Sequence, residues 1–177
     1  EALKICNEKK LVRLENEMNA SLGLLHQIGG ELDKARKLCD GVIMYERENG
    51  LKRQLVHSLM NLAKIEIHEE KYDRAEKLNI EAYQIAEETG LKPELCVILN
   101  NLGQTLITQS TLEQYSSCKN EKIKDGIKKC QDALELAKEL GMKENMINPS
   151  YNLGTAFMTV FQERIYDQSK LMPRITL

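Results

Sequence analysis

Between Leu55 and Leu91 the apolar positions fall at the spacing of two successive amphipathic helices. Leu59, Leu62, Ala63 and Ile67 mark one, and Ala75, Leu78, Ala82, Ile85 and Ala86 mark the next, because residues three, four and seven apart share a helix face. The polar Glu69-Glu70-Lys71 between them is long enough only for a tight turn, which makes the two helices antiparallel. Gly90 then stops the second helix, since a left-handed position just past a helix end costs glycine almost nothing.

The same pattern recurs forty residues away on either side. Leu22-Gly23, Leu62-Ala63 and Leu102-Gly103 fall in register, as do Ala35 with Ala75, Val42 with Ala82, and Leu11 with Leu51 and Leu91. The downstream copy is offset by a further eleven residues, so that Gly90-Leu91-Lys92 recurs as Gly141-Met142-Lys143 and Leu102-Gly103 as Leu153-Gly154. Ala2 and Ile5 are in phase with Ala82 and Ile85. Each hairpin cannot bury its apolar face alone and must stack on the next. The expected fold is therefore all-α, a solenoid of stacked helical hairpins forming a single array. Residues 1–10 are the end of a truncated repeat, with Lys10 where a glycine is expected. Residues 11–50 are the first full repeat, with helices over 11–28 and 31–48, and 51–90 are the second.

The third repeat, 91–141, carries the extra residues near 111–122. Its first helix starts near Pro93 and includes Leu95, Leu99, Leu102 and Leu106. We expect this helix to be lengthened and followed by a loop near Ser116 to Asn120, before Gly126, Ile127, Cys130, Ala133, Leu134 and Ala137 restore the second-helix phase. A partner-specific insertion and a neutral change of length both fit, because surface insertions cost little stability. Residues 142–177 are a partial repeat or a capping helix with a tail. Asn148-Pro149-Ser150 supplies a helix start, Tyr166 stands where a small packing residue belongs, and the end is expected to be irregular around Pro173.

Composition removes several functions from consideration. The net charge is -2 and the pI about 6.0, so the electrostatic footprint of a nucleic-acid binder is missing, and Lys9-Lys10 and Lys128-Lys129 read as solvated helix faces. There is no apolar run of about eighteen residues, no signal-peptide pattern and no lipidation motif. Since the first residue is Glu, a native amino terminus need not be present. Five cysteines, an odd number with no Cys-x-x-Cys spacing, argue against a disulfide framework and for a reducing, cytoplasmic setting.

Candidate chemistry is sparse. His57 and His68, eleven residues apart on one helix, are roughly 16 Å from each other and too far to share an ion. His26 belongs to another repeat and is expected at the hairpin interface. Cys39 and Cys130 occupy equivalent second-helix positions and read as small apolar core residues, while Cys6, Cys96 and Cys118 have no base beside them. Without a Gly-rich phosphate loop, a His-Glu-x-x-His run or a Gly-x-Ser-x-Gly turn, neither catalysis nor a cofactor nor a metal site is expected.

The repeat units resemble tetratricopeptide repeats. The family pattern is a Leu-Gly pair in the first helix, an aromatic or apolar residue and a small residue opening the second helix, then a further alanine. Leu62-Ala63, Tyr72, Ala75 and Ala82 match it, as do Leu22-Gly23, Leu32, Ala35 and Val42, and Leu102-Gly103, Gly126 and Ala133. The forty-residue period is similar to the long-repeat subclass of Pins-like spindle adaptors and kinesin light chains. The resemblance covers nearly the whole chain and weakens after Phe157. It implies a right-handed superhelix that binds protein or peptide along the concave surface lined by the first helices.

On the corresponding face this chain places His57, Asn61, Lys64 and His68 in its second repeat, Val97, Asn101, Gln104 and Thr108 in its third, and Asn148, Asn152, Thr155 and Thr159 in its fourth. Asparagine thus stands immediately before the Leu-Gly or Leu-Ala pair at Asn61, Asn101 and Asn152, with Ser21 in the first repeat. An amide offers a donor and an acceptor, so such a row can pair with an extended peptide backbone. This looks like the asparagine ladder of the long-repeat subclass; the alternative is that these amides stay solvated or bond a neighbouring helix. Lys64, His57 and His68 add a mild preference for acidic peptides, and Gln104 and the threonines add neutral contacts. The clamp for a C-terminal carboxylate needs several basic residues on this face, where Lys64 is the only Lys or Arg. The expected function is that of an adaptor binding an extended or helical peptide in its groove. Its rivals are a ligand-sensing regulatory array and self-assembly through the incomplete terminal repeats.

Overall fold

The computed structural model describes the backbone of residues 2–112 and 117–171, and the side-chain surroundings of 11–112 and 121–162 apart from 13, 17 and 24. Among the described residues seven α-helices follow one another: α1 (Ala2–Ile28), α2 (Leu32–Glu48), α3 (Lys52–His68), α4 (Tyr72–Thr89), α5 (Lys92–Leu112), α6 (Ser117–Glu139) and α7 (Ile147–Leu171), with a 3-10 turn at Lys143–Met146 before the last. No strand occurs among the described residues. The chain divides into two compact units, Glu1–Ile98 and Leu99–Leu177, with α5 contributing to both. The fold is an all-α solenoid of helical hairpins.

In the first unit α1 packs on α2, α2 on α3 and α3 on α4. The large core side chains come from α3, where Leu55, Val56, Leu59, Leu62 and Ile65 are buried, while α4 contributes only Ala75, Ala82 and Ala86 as buried apolar residues. Alanine faces let the helix backbones approach and the long side chains of the neighbour fill the space, which is how an interior reaches crystal-like density. Ile67, Leu78 and Ile85, on the same stripes, are half-buried.

One turn geometry closes five of the helix ends. Gly30, Gly50, Gly90 and Gly141 have φ of 77°, 66°, 69° and 68°. The amide after each reaches the carbonyl five residues back, as from Leu51 to Glu46 (2.9 Å), Leu91 to Ala86 (2.9 Å) and Met142 to Ala137 (2.9 Å). Glu70 stands forty residues after Gly30 and makes the same turn, with Lys71 N bonded to Glu66 O at 2.8 Å, but with a side chain at φ 59°. Among the described residues it is the one non-glycine in this region of backbone space, a position that costs an L-residue roughly 1–2 kcal/mol.

In the second unit α6 packs on α7, and α5 and α6 meet through two glycines. A Cβ built on Gly103 would fall on Cys130 Sγ and lie 2.9 Å from the Gly126 carbonyl, and one built on Gly126 would lie 2.8 Å from Ile107 Cγ1. Around this crossing a small core forms from Ile107, Ile123, Cys130 and Ala156, flanked by Ile127, Leu153 and Val160. Gly154, at the same register position as Gly103, has nothing within 4 Å of its Cβ direction.

Three expectations are corrected. Helix α1 runs unbroken through Lys10, where no glycine or proline interrupts the sequence from residue 1 to residue 22. Helix α6 begins at Ser117, so Ser117 to Asn120 are helical rather than a loop; residues 113–116 lie outside the described residues. The extra length goes into both helices, 21 residues in α5 against 17 in α3 and 23 in α6 against 18 in α4. Helix α7 starts one residue before Asn148, with a buried Pro149 in its first turn, where a missing N–H forfeits no helical bond. The side chain of Tyr166 and the segment around Pro173 lie outside the described residues.

Two packing predictions follow from these positions. Gly103→Ala should overpack the α5–α6 crossing and cost about 1–3 kcal/mol, whereas Gly154→Ala should stabilise α7 by about 0.5–1 kcal/mol; melting followed by circular dichroism separates the two signs. Glu70→Gly should relieve the left-handed turn and raise stability by up to about 1 kcal/mol, read in the same melts.

Candidate functional site

The side chains singled out on the first helices do not share one environment. On α3, His57, Lys64 and His68 are exposed and Asn61 is half-buried, all on the face opposite Leu55, Leu59 and Leu62. On α5, Gln104 is exposed, Thr108 half-buried and Asn101 buried. On α7, Thr155 is exposed and Asn152 buried. Asn152 Nδ2 donates to Asn100 Oδ1 at 2.9 Å, a bond from α7 to α5. The Asn101 Nδ2 is buried without a hydrogen-bond partner. Thr108 and Thr155 donate their hydroxyls to the carbonyls of Gln104 (2.9 Å) and Tyr151 (3.1 Å), which leaves their oxygens as acceptors.

In the first unit α1, α2 and α3 enclose a pocket of about 210 Å³. His57 and Asn61 stand on its wall beside Gln54 and Ser58, and Asn16 and Ala20 of α1 face them. Helix α2 contributes Glu46, which no motif identified. The period offers the missing signal: Glu46 stands forty residues before Ala86, which is fully buried, so a carboxylate occupies the register of a core alanine.

Three glutamates are buried among the described residues, namely Glu46, Glu66 and Glu94. Glu66 Oε1 is 3.1 Å from Arg36 Nε and 3.4 Å from Arg74 Nε. Glu94 Oε1 lies 3.0 Å from Arg53 Nη2 and 3.4 Å from His57 Nε2. Burial pushes the Glu94 carboxyl up, but a backbone hydrogen bond, Arg53 and His57 together outweigh it and hold the group below the ordinary carboxylate value. Glu46 has a hydrogen bond from Ser58 and, among the described residues, no cation beside it. Burial raises its carboxyl above the usual range and Ser58 only partly counters this.

The remaining chemistry is structural. His26 Nδ1 is 3.2 Å from Glu31 Oε2 at the α1–α2 turn. Cys39 and Cys130 are buried and unbridged, and burial pushes both thiols up to about 11, which keeps them protonated at neutral pH. Among the described residues no group of three or more His, Cys, Asp or Glu is arranged to hold a metal ion, and no helix is long and apolar enough to cross a membrane.

No family model and no curated protein matches the sequence. Solved structures do match. BtubC (BKLC) from P. vanneervenii is similar over 92% of this chain and 68% of its own, with a TM-score of 0.62 at 19% identity. The likeness is one of fold. It extends to the arrangement of helices over most of the chain.

Opposite pH dependences are expected from the two carboxyls. The raised Glu46 binds its proton more tightly in the folded chain, so its contribution to stability falls as pH rises from the ordinary carboxylate value through the raised one. The lowered Glu94 contributes stability above the ordinary value and loses it as pH falls through its own. Glu46→Gln should therefore raise the melting temperature at neutral pH, and Glu94→Gln should lower it; melts across the acidic-to-neutral range check both signs.

Proposed function

We propose that the chain is a protein-interaction module, an adaptor that holds an extended or helical peptide segment of a partner protein against its first helices. The observation that carries this reading is the pocket between α1, α2 and α3, walled by Asn61 and His57. Half-buried amides beside an apolar floor pair with a peptide backbone while side chains of the peptide enter the depression. On the same face of α3, Lys64 and His68 extend the contact. In the second unit Gln104, Thr108 and Thr155 offer neutral polar contacts from α5 and α7. The Asn101 amide has an unspent donor, and it takes the same role there as Asn61. Asn152 instead holds α7 against α5 through Asn100, so its share in binding is indirect. The function is binding rather than catalysis, and it requires no cofactor.

A second reading, self-association, is favoured by the apolar residues that α1 leaves exposed. Leu11, Met18, Leu25 and Ile28 are all more than half exposed, Ile28 at 83%, and such a stripe is a contact surface in a soluble chain. A molar mass that rises with concentration in light scattering, and that falls back on Met18→Glu, would favour it.

Affinity capture from lysate with mass-spectrometric readout tests the adaptor reading. Partners retained by the wild type should be lost from Asn61→Ala combined with Asn101→Ala. Asn152→Ala should mainly lower stability, by about 1–2 kcal/mol for the buried bond it breaks. Equal retention by wild type and the double variant would move the binding site away from the first helices.

A further inference from the structure

We infer that the pocket between α1, α2 and α3 receives one basic side chain, an arginine or a lysine, with the buried carboxylate of Glu46 as its counter-charge. The source of that side chain, a bound partner segment, rests on the adaptor reading above; the chemistry of the pocket does not. Glu46 is 6% exposed and its Oε2 has no hydrogen-bond partner. A carboxylate taken out of water needs a cation or a full set of donors, and Ser58 supplies one hydrogen bond.

The cations nearest in sequence are spent elsewhere. Arg47 binds Glu81 with Nη2 2.6 and 2.8 Å from the two carboxylate oxygens. Lys52 pairs with Glu88 at 3.3 Å, and Arg53 and His57 both turn to Glu94. Glu66 and Glu94, the other buried carboxylates, have arginine partners, whereas Glu46 has no cationic partner among the described residues. Its position in the register of Ala86 and Ala137, both fully buried, shows that the hairpin can be closed there by a methyl group.

The rest of the lining suits a long cationic side chain. Asn16 donates its Nδ2 to the Val12 carbonyl at 2.9 Å and so leaves its Oδ1 as an acceptor. Gln54 and Asn61 bring two more amide oxygens, while Ala20, Leu51 and the Tyr45 ring give apolar walls for a methylene stem. The volume is about 210 Å³. That is below the roughly 300–1,000 Å³ of sites that take whole small molecules, and it matches a single side chain. Lys64 and His68, which would favour acidic residues, do not line this pocket.

The test uses single-residue probes in an NMR titration of the labelled chain at neutral pH: acetyl-arginine amide, acetyl-lysine amide and the uncharged acetyl-citrulline amide. The basic probes should shift the amide signals of Gln54, Ser58 and Asn61, and citrulline should not. Glu46→Gln should weaken the basic probes at least tenfold while the chain stays folded with a melting temperature no lower than that of the wild type, and Ala20→Leu, which fills the pocket and leaves the carboxylate in place, should weaken them likewise. An equal response to citrulline, an unchanged affinity in Glu46→Gln, or shifts confined to residues outside the pocket would each overturn the inference. Because the probes carry no partner segment, that failure leaves the adaptor reading to the capture experiment. Loss of captured partners in the Asn61 and Asn101 double variant, without probe binding, would sink the pocket and keep the groove.

Discussion

How closely two helices of a hairpin can approach decides most of what is built on them. At the α5–α6 crossing the approach is limiting, for Gly103 and Gly126 face each other with no room for a Cβ on either. In the same register positions the α3–α4 hairpin has Ala63 and Ala75, both fully buried. Where the small residues bring the backbones together, the large side chains of the neighbouring helix have a defined space to fill, and the polar face opposite is presented in one orientation. Gly154 shares the register of Gly103 but meets nothing within 4 Å, so the same letter in the pattern has two physical meanings.

Buried charge is the second theme, and it divides by partner. Glu66 lies at the α3–α4 hairpin, where Arg36 and Arg74 converge on one of its oxygens and Arg36 also pairs with Glu69 and Asp33. Glu94 is held by Arg53 and His57 in the same way. These pairs tie successive helices together within the unit, since breaking either would leave a charge stranded in a place water does not reach. Glu46 has no such anchor among the described residues and lines a pocket instead. A fold of otherwise regular packing thus keeps one carboxylate at a cost to its own stability, and such conflicts between local rule and observed residue concentrate at sites of function.

The asparagines show how one sequence position can be put to different uses. Asn61, Asn101 and Asn152 precede the same dipeptide in three repeats, yet Asn61 is half-buried beside a pocket, Asn101 is buried with its Nδ2 unpartnered, and Asn152 is bonded to Asn100. Periodicity can assign them to one face because a helix face is a matter of angle. It cannot assign their partners, because those depend on which residue the adjacent helix offers at that height.

Helix type, helix order and the core stripes were legible in the chain alone. Leu59, Leu62, Ala63, Ala75, Ala82 and Ala86 are buried where the spacing puts them, and Gly30, Gly50, Gly90 and Gly141 end helices where the glycines stand. These are local consequences: amphipathic spacing and a left-handed turn are each decided within a few residues. Continuation of α1 through Lys10 and the extension of α5 and α6 into the inserted length were not legible, because a helix ends where packing and capping stop favouring it, and polar segments such as Ser117 to Asn120 leave that to their neighbours. The pocket and the isolation of Glu46 lay further still from the sequence. The forty-residue register does mark Glu46 as a charge in an alanine's place, but whether Arg47 turns to it or to Glu81 is settled only when α2, α3 and α4 are packed together. Sequence decides which faces exist, since a face is set by covalent spacing along one helix; tertiary structure decides which charges meet, since that requires distances between helices that no single segment contains.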